Sequence, residues 1–162
     1  MKPFFARILA VLVVAGLFVP AIGQVPSNIP LSSRATPKGE PVAETGLLME
    51  GIAHANFKGI EKRLKKKPDD ADAWTFTRGQ ALLIAETGNL LLLRPPKNQG
   101  AESWNKFAVE LRESATRLAR ATAAQDLNTS RSRLIEVANA CNKCHTVFQV
   151  KTRLTPFKEE SP

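Results

Sequence analysis

Residues 101–124, AESWNKFAVELRESATRLARATAA, indicate the fold class of this chain because their apolar positions recur every three or four residues. That spacing forms one stripe along a helix and is typical of helix bundles. The stripe consists of Trp104, Phe107, Ala108, Leu111, Ala115, Leu118 and Thr122. Outward from it, turn residues separate three further helical patterns, at 42–66, 71–93 and 129–152. No useful length of sequence alternates with period two, so we predict an all-α, four-helix, up-down-up-down bundle over 42–155.

The faces of the first two predicted helices follow from the same periodicity. On the first helix, five apolar residues share one face: Met49, Ala53, Phe57, Ile60 and Leu64. At about 100° per residue, Met49 lies inside this stripe, whereas His54 lies at its boundary beside Glu50. On the second helix, Gly79 and Gly88 are expected to allow close approach of a neighbouring helix.

The fourth predicted helix carries Cys141-Asn142-Lys143-Cys144-His145, a C-x-x-C-H motif that contains both cysteines of the chain. Thiols three residues apart on a helix point toward the same side, and they can form thioethers with the two vinyl groups of one porphyrin. The histidine that follows can bind the iron from the proximal side. The motif therefore predicts one haem c, attached to Cys141 and Cys144, with His145 as the proximal ligand.

Other interpretations of the motif are weaker. A thioredoxin-type dithiol requires a βαβ context, which this sequence does not show. A zinc site could use Cys141, Cys144, His145 and His54, but the adjacency of Cys144 and His145 makes one tetrahedron hard to close. The usual second pair of zinc ligands is also missing. A chance occurrence of C-x-x-C-H at a helix end is the remaining alternative.

Residues 1–23 have the pattern of a secretory signal peptide. Two basic residues precede an apolar run from Ile8 to Val19, and Ala21-Ile22-Gly23 fits a small-residue cleavage site. The run is shorter than the about 20 apolar residues of a membrane span, so we expect cleavage rather than an uncleaved anchor. Residues 24–41 contain four prolines and are expected to form an extended linker. Export, for example to the periplasm, agrees with the motif because bacteria attach c-type haem outside the cytoplasm.

The charge of the chain bears on its partners. The net charge is +8, and the densest basic run is 62–67. A basic surface can steer an acidic redox partner protein, although such a run is more often a solvated helix end. No nucleic-acid motif accompanies it, so nucleic-acid binding is not expected.

A C-x-x-C-H motif on the last of four helices resembles the class II c-type cytochromes, which comprise cytochrome c′ and its low-spin relatives. The similarity is closest between Ser103 and Phe148, including Trp104, the alanine-rich stretch 119–124 and an aromatic residue three positions after His145. Gln149 departs from the family, which often has Arg or Lys there. The resemblance implies a homodimer through the first two helices. It also implies a haem pocket packed by Ala53, Phe57, Trp104, Ala138 and Phe148.

The distal iron position is the least determined part of this interpretation. The resemblance implies a methionine on the first helix in electron carriers, or a non-binding apolar residue in five-coordinate members. Matching Phe57 and Ile60 to the family places that position at Glu50, and a slip of one residue moves it to Met49, which the helical phase favours. We expect Met49 as the distal ligand, with Glu50, His54 or no residue as alternatives.

Three functions are compatible with these residues. With His145 and Met49 as axial ligands, the haem would transfer single electrons without catalysing a reaction, because thioether sulfur favours reduced iron. With no distal ligand, the resemblance implies binding of nitric oxide or carbon monoxide. A haem enzyme such as a peroxidase would need a distal acid or base, for which His54 is the candidate histidine. The sequence thus predicts an exported electron carrier rather than an enzyme.

Overall fold

Four helices make up the secondary structure of residues 39–97 and 100–158, the part of the chain that this computed structural model describes, and no strand occurs there. The predicted signal segment 1–23 lies outside the described residues, as does the linker except for residues 39–41. The helices are α1 (Thr45–Leu48, Met49–His54 and Ala55–Leu64 in succession), α2 (Ala71–Leu92), α3 (Ala101–Ala123) and α4 (Leu127–Val147). None of these helices has the length and apolar character required to cross a membrane.

The helices pack around one apolar core. Consecutive helices contact each other along the chain, and α1 also contacts α4. The largest fully buried apolar side chains come from all four helices: Ile60, Leu64, Ile84, Leu118, Leu134 and Val137. At about 25 cal/mol per Å² of apolar surface removed from water, this shared core is the main stabilising contribution to the fold.

Glycine has different roles at the two positions where close packing was expected on α2. A Cβ at Gly88 would lie 2.7 Å from the Ala108 carbonyl oxygen and 2.9 Å from the Arg112 backbone nitrogen, so α3 approaches closely here. A Cβ at Gly79 would have nothing within 4 Å. The expectation of close approach is therefore confirmed at Gly88 and wrong at Gly79, because no neighbouring element of the described residues covers that side of the helix.

Asp70 and Asp126 set where two of the helices begin. The Asp70 carboxylate accepts a hydrogen bond from the Ala73 N–H at 2.7 Å and caps α2. Asp126 accepts one from the Thr129 N–H at 3.0 Å, so α4 begins at Leu127 rather than at the predicted residue 129.

The predicted end of the fourth helix, at residue 152, is wrong by five residues. Gln149 adopts a left-handed conformation with φ of 57°. The N–H of Gln149 donates to the Thr146 carbonyl and that of Val150 donates to the His145 carbonyl, which is the Schellman arrangement that ends a helix. Beyond Val147 the chain therefore leaves the helix, and we call residues 149–158 the C-terminal strap.

The stretch of α1 that follows its first turn is not regular α-helix. Met49–His54 forms a π-helical stretch, in which the hydrogen-bonded turn contains one more residue than an α-turn. The fully buried stripe of α1 accordingly runs Leu48, Ala53, Phe57, Ile60 and Leu64, with a spacing of five before it returns to four and three. Met49, expected in this stripe, is only half-buried, because the π turn orients Leu48 toward the core instead.

Candidate functional site

A cavity of about 330 Å³, with mostly apolar walls, is lined by residues of all four helices and of the C-terminal strap. That volume lies within the range of about 300–1,000 Å³ that is usual for small-molecule and cofactor sites. The alternative distal ligands Glu50 and His54 lie on its walls. So do eight of the nine residues that the sequence assigned to haem attachment, iron binding or pocket packing: Met49, Ala53, Phe57, Trp104, Cys141, Cys144, His145 and Phe148. The ninth, Ala138, is buried in the core, and its neighbour Val137 lines the cavity instead.

One wall carries the C-x-x-C-H motif. Cys141 is buried and Cys144 half-buried, and neither thiol forms a disulfide. Burial raises the pKa of the Cys141 thiol to about 12, with a further contribution from Cys144, and raises the pKa of Cys144 to about 11. Both thiols are therefore protonated at neutral pH, whereas a reactive dithiol needs a lowered pKa.

The imidazole of His145 is held by a backbone carbonyl. Its Nδ1 lies 2.9 Å from the Thr152 carbonyl oxygen. A carbonyl can only accept, so Nδ1 carries a proton here, and Nε2 is the ring nitrogen left to bind a metal. Histidines that bind metals commonly have this arrangement, with the second ring nitrogen bonded to a carbonyl or carboxylate.

The α1 side of the cavity carries Met49, Glu50 and His54. His54 Nδ1 lies 3.0 Å from a Glu50 carboxylate oxygen, and the His54 side chain is 33% exposed. The rotation of 100° per residue assumed from the sequence does not hold across this π-helical stretch. His54 therefore lines the same cavity as Met49, although its partial exposure agrees with a position at the boundary.

Aromatic side chains form another part of the wall. The Trp104 Nε1–H donates to the Leu91 carbonyl at 2.7 Å, which satisfies the indole inside the bundle. The rings of Trp104 and Phe148 meet edge to face with centroids 5.2 Å apart, and the rings of Phe107 and Phe148 do so with centroids 6.5 Å apart. These contacts fix Phe148 just after the motif, where the chain leaves α4.

Three of the cavity residues that sequence reasoning missed belong to the C-terminal strap. Val150, Thr152 and Leu154 line the cavity, and Asn142, inside the motif, bonds to the strap. The sequence predicts helix up to residue 152, so it gives no indication that the chain turns back along the cavity after Val147. Pro156 was the one nearby signal of irregular structure.

Within residues 39–97 and 100–158, no group of three or more His, Cys, Asp or Glu side chains could together hold a metal ion. The four ligands considered for zinc thus do not form such a group in that part of the chain. Comparisons of this chain with protein-family models, curated proteins and solved structures found no match.

Proposed function

We propose that this chain is an exported c-type cytochrome, similar to class II, that transfers single electrons through one covalently attached haem. One observation carries the proposal. The cavity brings Cys141, Cys144 and His145 from α4 to the same apolar space as Met49 from α1. Residues separated by about ninety positions thus supply both the attachment motif and a candidate sulfur ligand.

The residues of the cavity fit a haem in their chemistry. Cys141 and Cys144 would hold the porphyrin through thioethers, and His145 would bind iron through Nε2 while its Nδ1 donates to the Thr152 carbonyl. Met49 would offer its thioether sulfur from the opposite helix. When bound, the haem supplies an iron centre that gains and loses one electron. The apolar walls exclude water from it, which tunes the potential.

The finer features of the architecture belong to the same proposal. The connections 65–70, 93–100 and 124–126 are short, which favours an up-down-up-down arrangement of neighbouring helices. Residues 1–23 would direct export to the compartment where haem is attached. The full sequence has a net charge of +8, and it remains basic without Lys2 and Arg7 of the predicted signal segment, which favours an acidic redox partner protein.

The test is the visible spectrum of protein made in bacteria that have cytochrome maturation machinery. We expect coloured protein with both thiols resistant to alkylation, and low-spin six-coordinate bands in both oxidation states. Met49→Ala should convert these to high-spin bands. Leu47→Ala, which truncates an exposed side chain two residues earlier, should not.

The other outcomes separate the alternatives. Colourless protein with two free thiols would refute the whole proposal. A high-spin spectrum that Met49→Ala leaves unchanged would instead indicate a five-coordinate, gas-binding haem. A low-spin spectrum lost in His54→Ala but kept in Met49→Ala would assign the sixth ligand to His54.

A further inference from the structure

We propose that Asn142, the first variable residue of the C-x-x-C-H motif, is a positioning residue for His145. Its side-chain amide fixes the C-terminal strap so that the Thr152 carbonyl holds the imidazole in place. This inference rests on the proposed role of His145 as an iron ligand. It assigns a specific task to a motif position that the attachment chemistry leaves free.

The first step is the contact between Asn142 and the strap. Asn142 Nδ2 donates to the Leu154 carbonyl at 2.8 Å, and Asn142 Oδ1 accepts from the Leu154 N–H at 2.9 Å. The side chain thus pairs with Leu154 as a second peptide group would. Only one orientation of the amide satisfies both bonds, so the pairing also fixes the side chain.

The second step is that the strap is held on both sides of Thr152. On one side, the Val150 N–H donates to the His145 carbonyl at 2.8 Å as part of the helix end. On the other side, Asn142 holds Leu154. The short segment between these two attachments contains Thr152, whose carbonyl therefore has little freedom to move away from His145 Nδ1.

A third attachment ties the strap to the first helix. The Phe157 N–H donates to the Glu61 carboxylate at 2.8 Å, and the Arg131 guanidinium lies over the Phe157 ring at 5.7 Å. Burial alone would raise the pKa of Glu61, but hydrogen bonds from Lys58 and Phe157 outweigh it and the pKa is lowered. The carboxylate thus stays ionised and continues to hold the strap.

The consequence for His145 is electronic as well as geometric. A hydrogen bond from Nδ1 to a carbonyl fixes the orientation of the ring and increases the basicity of Nε2. A more basic imidazole stabilises oxidised iron relative to reduced iron. If the strap is loosened, His145 loses this partner and the reduction potential rises.

Asn142→Ala tests the inference, with Asn139→Ala as the matched control because Asn139 is exposed one turn earlier on the same helix. Both variants would be prepared as matured protein. Hydrogen exchange of peptides covering 149–157 should accelerate at least about tenfold in Asn142→Ala, since the Leu154 N–H loses its acceptor. The equilibrium constant for reduction should increase about tenfold, which is about 59 mV for one electron. Asn139→Ala should change neither quantity.

Asn142→Asp keeps the shape of the side chain but cannot donate to the Leu154 carbonyl. It should also accelerate exchange of the strap, and it preserves the test if the alanine variant fails to mature. Coloured Asn142 variants with the exchange and potential of Asn139→Ala would refute the positioning role. Faster exchange with an unchanged potential would refute it too, because the strap would then be a purely structural element. Colourless wild-type protein would instead count against the proposed function, and exchange would still report whether Asn142 holds the strap.

Discussion

At the scale of single residues, the environment of the two thiols matters most for their chemistry. Cys141 and Cys144 lie against an apolar cavity, and burial is the largest cause of their raised pKa values. A thiol that stays protonated is a poor nucleophile and is slow to oxidise or to exchange with disulfides. The folded chain without haem thus protects the sulfur atoms that the proposed function needs.

Alkylation of the haem-free folded chain by iodoacetamide measures this protection. Because a raised pKa means that the thiol holds its proton to higher pH, both cysteines should react at pH 8 at least about tenfold more slowly than in urea. The rate should rise with pH toward about 11 for Cys144 and about 12 for Cys141. Reaction at the same rate in folded and unfolded chains would contradict the burial that causes these shifts.

The site residues differ in how far the sequence could predict them. The positions of Cys141, Cys144 and His145 follow from a local motif, so their presence on one helix could be expected. The carbonyl of Thr152 could not, since a backbone group carries no residue-specific signal and the strap bends back through long-range contacts. Met49 and His54 were separated by an assumed 100° rotation that the π turn invalidates.

At the scale of elements, packing between α2 and α3 depends on one missing side chain. Gly88→Ala would push a Cβ into the α3 backbone, and we expect it to destabilise the bundle by about 1–3 kcal/mol. Gly79→Ala is the matched control on the same helix, where open space should let alanine stabilise by about 0.5–1 kcal/mol. Urea unfolding of both variants gives the two signs, and equal effects would contradict the close approach at Gly88.

The left-handed residues that end α3 and α4 lead to a second prediction about stability. Gln125 and Gln149 both occupy left-handed positions, with φ of 56° and 57°, in Schellman arrangements. Replacing either by glycine removes the steric cost of a side chain there and should stabilise the chain by about 1 kcal/mol. Asn139→Gly, inside α4, should instead destabilise the chain, by about 0.3 kcal/mol. Melting temperatures that fall in all three variants would exclude this explanation of the helix ends.

The elements themselves could be predicted better than their boundaries. The apolar periodicity located all four helices, because each buries one stripe in the common core. Their ends depend on individual hydrogen bonds, and the sequence of α4 after Val147 remains apolar enough to suggest more helix. The π-helical stretch has no distinctive composition and depends on how α1 packs.

At the scale of the whole molecule, the proposed haem would stabilise the bundle by filling its cavity. Its walls come from every helix, so an empty apolar cavity would cost contacts throughout the structure. We expect haem-loaded protein to be more stable in urea than the Cys141→Ala/Cys144→Ala double variant, by at least about 2 kcal/mol. Haem-free wild-type chain should likewise be less stable than the haem-loaded protein. If loaded and haem-free chains unfolded at the same urea concentration, the cavity would not be the haem site.

The tie between Phe157 and Glu61 also has a consequence for the time course of folding. It joins residues 96 positions apart, and forming a contact of such high sequence separation costs a large loop-closure entropy. The strap is therefore expected to dock late, after the helices have associated. Until the strap docks, the thiols of a newly synthesised chain stay accessible from that side, so an enzyme that attached haem to them would have to act before docking.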